Sequence, residues 1–186
     1  MYSVINQAFW ATIDEGLLPL KEDNHNEFDY TFVDSFASKF NYTDICKNEV
    51  ECRDNTNYMP SYFKKYNSLQ GKEIGSYAFS YYGFRLLSGE VIMFGHDHSG
   101  LCISVDLNSY INGPNVLGKD VFVMMIKKYY PVEFLPLGSG FTYNKNLDGD
   151  ECKCGKEYGA ASDSYITTDD GVVSGGCCSA YYLLEK

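Results

Sequence analysis

Four apolar runs between residues 76 and 126 limit the folds open to this chain more than any other feature. "SYAFSYYGFRLL" alternates imperfectly and meets the turn "SGE". "EVIMFG" and "LCISVDL" flank the polar "HDHSG", and "DVFVMMI" follows a long Asn- and Gly-rich loop. Runs of this length, rich in Val, Ile, Phe and Tyr and bounded by Gly, Asn and Asp, read as strands. Taken in succession they predict an antiparallel meander of about four strands. Pro131 and Pro136 break the pattern beyond it, and residues 138–176 are rich in Gly, Asp and Ser. The closing "SAYYLLEK" suits a last short strand or helix.

Upstream of the strands the period changes. Ile5, Phe9, Ile13 and Leu17 recur every four residues, which puts them on one face of a helix over 1–17. Gly16 and Pro19 end that helix near residue 16. Phe28, Phe32, Val33, Phe36 and Phe40 mark a second amphipathic helix over 28–40, with Asp34 and Ser35 on its outer face. Residues 41–75 show little periodicity and many Asn, Tyr and Ser, and read as a long loop. The expectation is an α+β domain spanning 1–186. An N-terminal amphipathic helix packs through Ile5, Phe9 and Ile13 on the meander. A helix and loop insertion fills 18–75, the sheet core 76–126, and an irregular disulfide-rich region 127–186.

Charge narrows the partners. With 15 Lys+Arg against 25 Asp+Glu, the formal net charge is −10, which repels nucleic-acid phosphates. Lys64-Lys65 and Lys127-Lys128 are the basic doublets, each too short to reverse that. The chain has no apolar run long enough to cross a bilayer. The opening "MYSVINQAFW" lacks the pattern of a secretory signal and reads as the interior of a longer protein.

Seven cysteines are numerous for 186 residues. Zinc sites favour C-x-x-C knuckles, and the sequence has none. Disulfides in an oxidising compartment suit the spacing better. Five residues separate Cys46 from Cys52, an easy closure. Cys102, Cys152, Cys154, Cys177 and Cys178 share no assignable pairing, and the odd total leaves one thiol over.

Three stretches invite chemistry. "DLNSYINGPNVLGKD", residues 106–120, gathers Asp106, Asn108, Asn115 and Asp120, whose oxygens are of the kind a calcium ion takes. The same residues serve as well in tight turns, where Asn and Asp side chains bond their own backbone. "NKNLDGDE" has the oxygen spacing of the first half of an EF-hand loop, but Gly155 stands where the bidentate Glu belongs. Looser calcium binding by Asn144, Asn146, Asp148 and Asp150 is the remaining option there. "HDH" (His96, Asp97, His98) would serve a hydrolase only beside a nucleophile, and no nucleophile elbow accompanies it. A polar hairpin loop accounts for it. The doublets Tyr81-Tyr82, Tyr129-Tyr130 and Tyr181-Tyr182 would each turn one ring outward from a strand, as half-buried sheet surface or a contact patch.

The order of these pieces resembles the head domain of bacterial type IV pilin-like and pseudopilin proteins. "LLSGEVIMF" looks like that family's turn and strand. "CISVDLNSYINGPNVLGKDVFVMMI" follows its pattern of a strand ending D-x-N-G, then G-P-N-x-x-G-x-D-x-F. Asp106, Asn108, Gly113, Pro114, Asn115, Gly118, Asp120 and Phe122 carry the match, specific over about residues 84–126. Ser109 stands where the family has Gly, and the loop is one residue longer before Gly113. The family's prepilin cleavage site and apolar half-helix are not in these residues. The resemblance implies a structural subunit without catalysis, in an extracellular or cell-surface filament of the type IV pilus or type II secretion kind. Before assembly it would be held at the inner membrane by an upstream helix, and its partners would be other pilin-like subunits. In that picture the 106–120 loop is a stiff turn, with calcium as an optional ligand. The alternative is a secreted adhesion or ligand-binding module that never polymerises, with calcium as an optional stabiliser.

Overall fold

The structure, a computed structural model, describes residues 1–20, 28–48, 51–52, 66–67, 73–74, 82–97, 100–109, 112–126, 132–136, 179 and 183. Helix α1 runs Tyr2–Asp14 and α2 runs Tyr30–Ser38. The strands are β1 Tyr42–Cys46, β2 Tyr66–Asn67, β3 Glu73–Ile74, β4 Tyr82–Leu86, β5 Val91–Asp97, β6 Gly100–Asp106, β7 Val121–Ile126 and β8 Phe134–Pro136. Six of them form one sheet in the order β1-β4-β5-β6-β7-β8, and β2 pairs with β3 separately. Every neighbouring pair in the large sheet is antiparallel.

The sheet corrects the expectation of about four strands. β4 to β7 form the meander, and two further strands extend it at opposite edges. β1 lies in the stretch read as loop, because its outer residues Tyr42, Thr43 and Asp44 are exposed and no alternation marks it. Its pairing to β4 slips between Tyr42 and Asp44, an irregularity that further hides the period. β8 lies where Pro131 and Pro136 were read as breakers. Pro136 is tolerated because it ends a three-residue edge strand. "HDHSG" is also not simply a loop. His96 and Asp97 belong to β5 and Gly100 opens β6, with Asp97 opposite Gly100.

Both helices lie on one face of the sheet and build an aromatic core. Asp29 caps α2 by accepting the Thr31 N–H at 2.7 Å. α1 ends at Gly16, whose φ of +82° and N–H bond to the Ile13 carbonyl suit a residue without a Cβ. Ile5, Ala8, Phe9 and Thr12 are its buried face, while Ile13 and Leu17 pack at the core margin. Phe9 stacks on Phe134 of β8 at 4.3 Å and meets Phe32 of α2 edge-on at 5.5 Å. Phe36 continues the chain of rings to Phe84 and Phe94. Each buried ring contributes roughly 2–3 kcal/mol, so helix-to-sheet packing is set by aromatic burial rather than by polar contacts.

The second face of the sheet is buried too. Val91, Met93, Cys102, Ser104, Val121, Val123 and Met125 all lie in the interior. Gly83 makes room there, since a Cβ would meet the Ile92 carbonyl at 3.2 Å and Cys46 Sγ at 3.6 Å. Ser179 Oγ accepts the Val123 N–H at 2.9 Å, and so serves an amide of β7 from 56 residues further along the chain. The bridge Cys46–Cys52 is formed, with its Cα atoms 5.1 Å apart. Cys102 donates its buried thiol to the Gly95 carbonyl at 3.4 Å. Cys152, Cys154, Cys177 and Cys178 fall outside the described residues. Among the described residues, no helix is long and apolar enough to cross a membrane.

Candidate functional site

The 106–120 loop joins β6 to β7, whose register sets Asp106 opposite Val121. Leu107 N–H donates to the Asp120 carbonyl at 2.9 Å and closes the loop at its base. Between these ends, among the described residues, the backbone enters the left-handed region at Ser109 (φ 66°), Gly113 (48°), Asn115 (55°) and Gly118 (77°). Gly takes such a φ freely and Asn tolerates it, so the sequence suits the geometry at three of the four positions. Ser109 is the exception, and it is buried. The Gly113-Pro114 peptide is cis.

The loop's polar side chains mostly serve its own amides. Asp120 Oδ2 accepts the Asn115 N–H at 2.8 Å, and Oδ1 accepts the Val116 N–H at 2.6 Å. Asp106 Oδ1 accepts the Asn108 N–H at 3.1 Å, an Asx turn. Asn108 Nδ2 donates to the Gly113 carbonyl, and Asn112 Nδ2 donates to the Asn108 carbonyl at 2.7 Å. β2 pins the loop from outside. Asn67 N–H donates to the Asn115 carbonyl at 2.8 Å and Leu117 N–H to the Asn67 carbonyl at 3.1 Å.

Two oxygens of the loop, Asp106 Oδ2 and Asn108 Oδ1, are buried and meet no hydrogen-bond donor among the described residues. Burial pushes the Asp106 carboxyl up to about 6. The Asn108 and Ser109 amides act against that rise, and the Asp120 charge adds to it. A calcium shell needs six to eight oxygens. Of the side chains that could contribute, both Asp120 oxygens and one Asp106 oxygen also accept backbone N–H groups of the loop. Among the described residues, no three His, Cys, Asp or Glu side chains gather as metal ligands. The loop is built as a self-bonded turn.

The other sequence candidates scatter. His98, the Asn144–Asp150 stretch and every paired tyrosine except Tyr82 lie outside the described residues. Tyr82 is buried, and its hydroxyl donates to Asp34 Oδ1. Burial, then Asp34, raises the Tyr82 hydroxyl above its ordinary value. Lys47 Nζ lies 3.1 Å from the same Asp34 oxygen. Asp34 itself is held low: burial works to raise it, and the Tyr82 and Lys47 hydrogen bonds outweigh that. Glu15 is also held low, by Lys39 and then by Ser35. These contacts tie α2 to β4, to the disulfide loop and to the end of α1. Nothing local in the sequence announced them, because Asp34 and Ser35 read as an ordinary outer face of a helix.

Comparison with protein-family models, curated proteins and solved structures gives no match to this chain.

Proposed function

We propose that the chain is the head of a structural subunit, pilin or pseudopilin in kind, of an extracellular filament, and carries no catalysis. One observation supports this most. The amphipathic α1 lies with Ile5, Ala8 and Phe9 buried against an antiparallel meander, the arrangement the motif resemblance implies. A 106–120 loop bonded to itself suits a rigid outer edge better than a reaction site. The Cys46–Cys52 bridge suits a surface exposed outside the cell, where no reductant would open it. In this reading an apolar helix of about 20 residues precedes the head, anchors it in the inner membrane and later bundles with other subunits.

The test is the complete gene and its phenotype. A short leader followed by about 20 apolar residues, together with loss of surface filaments in electron micrographs of a deletion strain, is the expected result. A charged segment directly upstream, or filaments unchanged by the deletion, removes the proposal. The second reading, a secreted adhesion or ligand-binding module that does not polymerise, draws on the open groove beside the first turn of α1. It predicts no filament phenotype.

A further inference from the structure

An open groove of about 400 Å³ lies where α1 begins, against the end of the sheet at which β6 stops and β7 starts. Tyr2 and Ile5 line it from the helix, and Val105, Leu107 and Phe122 from the sheet. Lys119 is the one charged side chain on its wall among the described residues, and it is exposed. Leu107 remains 40% exposed at the rim.

The β4–β5 turn projects from the same end of the sheet. Register shows this directly: Arg85 lies opposite Val91, Val91 opposite Asp106, and Asp106 opposite Val121. The tip carries Leu87, 69% exposed and the most exposed large apolar side chain among the described residues. Leu87 N–H donates to the Asn41 carbonyl and Leu86 N–H to the Glu90 carbonyl, so the tip is held rather than loose. Glu90 flanks Leu87 and accepts a hydrogen bond from Ser88. One molecule thus presents an apolar knob with an acid, and beside it an apolar groove with a base. β4 and β6 are two places apart in the sheet order, so knob and groove lie side by side, roughly 10 Å apart at the usual strand spacing.

We propose that the partner of this end is a second copy of the same chain. A half-turn about an axis normal to the sheet reverses the strand direction and exchanges left with right. The knob of each copy then faces the groove of the other. Leu87 enters between α1 and β6–β7 of its partner, and Glu90 meets Lys119 twice, once on each side of the axis. Such a contact is self-complementary and closes on itself, the commonest symmetry of soluble oligomers. The pairing of Glu90 with Lys119 sets its register, working against the repulsion between two copies that each carry a formal −10. The contact competes with the filament of the proposed function, because a helix leading into α1 would enter the head at this same groove.

Sedimentation of the 186-residue chain across a concentration series, at 0.15 M salt (~8 Å screening length), tests the contact. The wild type is expected to shift from monomer to dimer and no further. Leu87→Asp should raise the dimer Kd by at least about tenfold, the loss typical of a central apolar contact. Glu90→Lys and Lys119→Glu should each weaken the dimer, and the two together should restore it. Melting temperatures that match at concentrations well below the dimer Kd show that the fold of every variant is intact. A wild type that stays monomeric, a dimer indifferent to Leu87→Asp, a mass beyond the dimer, or a double reversal that fails to rescue overturns the proposal.

Discussion

Replacing Asp120 by alanine should be among the most damaging single changes outside the aromatic core. Its two carboxylate oxygens hold the amides of Asn115 and Val116 at 2.8 and 2.6 Å, in a residue only 7% exposed. A hydrogen bond to a charged group contributes about 1.5–3 kcal/mol, and a buried amide left unpaired forfeits a similar amount. Two such bonds give roughly 3–6 kcal/mol. Removing the Asp120 charge offsets part of this, since that charge burdens the buried Asp106. A net loss of about 3 kcal/mol follows, which at this chain length lowers the melting temperature by roughly 6–12 °C. Asp120→Asn keeps one acceptor and should lose about half as much. Asp44→Ala, on the exposed face of β1, serves as control and should change stability by less than about 0.5 kcal/mol. Urea unfolding of the oxidised protein, followed by circular dichroism, measures all three. A loss below about 1 kcal/mol for Asp120→Ala would refute the view that this carboxylate organises the loop.

Phe9→Ala removes a fully buried ring stacked on Phe134 and should lose about 3–5 kcal/mol in the same assay; a loss under 1.5 would mean the ring is not a keystone of helix-to-sheet packing. Replacing Cys46 and Cys52 together by serine opens a loop of sequence separation 6, for which chain entropy gives about 2 kcal/mol; a loss near zero in the urea assay, against the oxidised wild type, would contradict it. Asp106 sets a pH dependence. Its folded value of about 6 lies above the ordinary 3.8, so its contribution is fully favourable below 3.8 and is lost as pH rises through 6. From pH 5 to 7.5 the wild type should therefore lose about 1.4 kcal/mol relative to Asp106→Asn. Asp34 and Glu15, both held low, give way only below that window. Parallel pH profiles for the two proteins would contradict the assignment. Added Ca²⁺ or chelator should leave the melting temperature unchanged, and a rise with Ca²⁺ would show that Asp106 and Asn108 recruit a cation.

What could be read from the sequence was what neighbours along the chain decide. The four-residue spacing of Ile5, Phe9 and Ile13 is a property of α1 alone, and so is the Phe32 and Phe36 spacing of α2. The apolar runs of β5, β6 and β7 and the Asx-rich loop between the last two are equally local. Asp106 and Asn108, two residues apart, bond within one turn and need no distant partner.

What the sequence could not tell depended on partners far away. β1 has little amphipathic pattern of its own; it becomes a strand because β4 offers it an edge, and the Cys46–Cys52 bridge and Lys47–Asp34 contact hold it there. β8 forms despite its proline because Phe134 is drawn under Phe9. Asn67 reaches the loop only through tertiary packing, as Ser179 reaches Val123. Local propensity is a matter of the backbone and nearest side chains. Edge strands, long-range amide partners and the orphaned Asp106 oxygen are settled by burial, which exists only once the whole chain has closed over them.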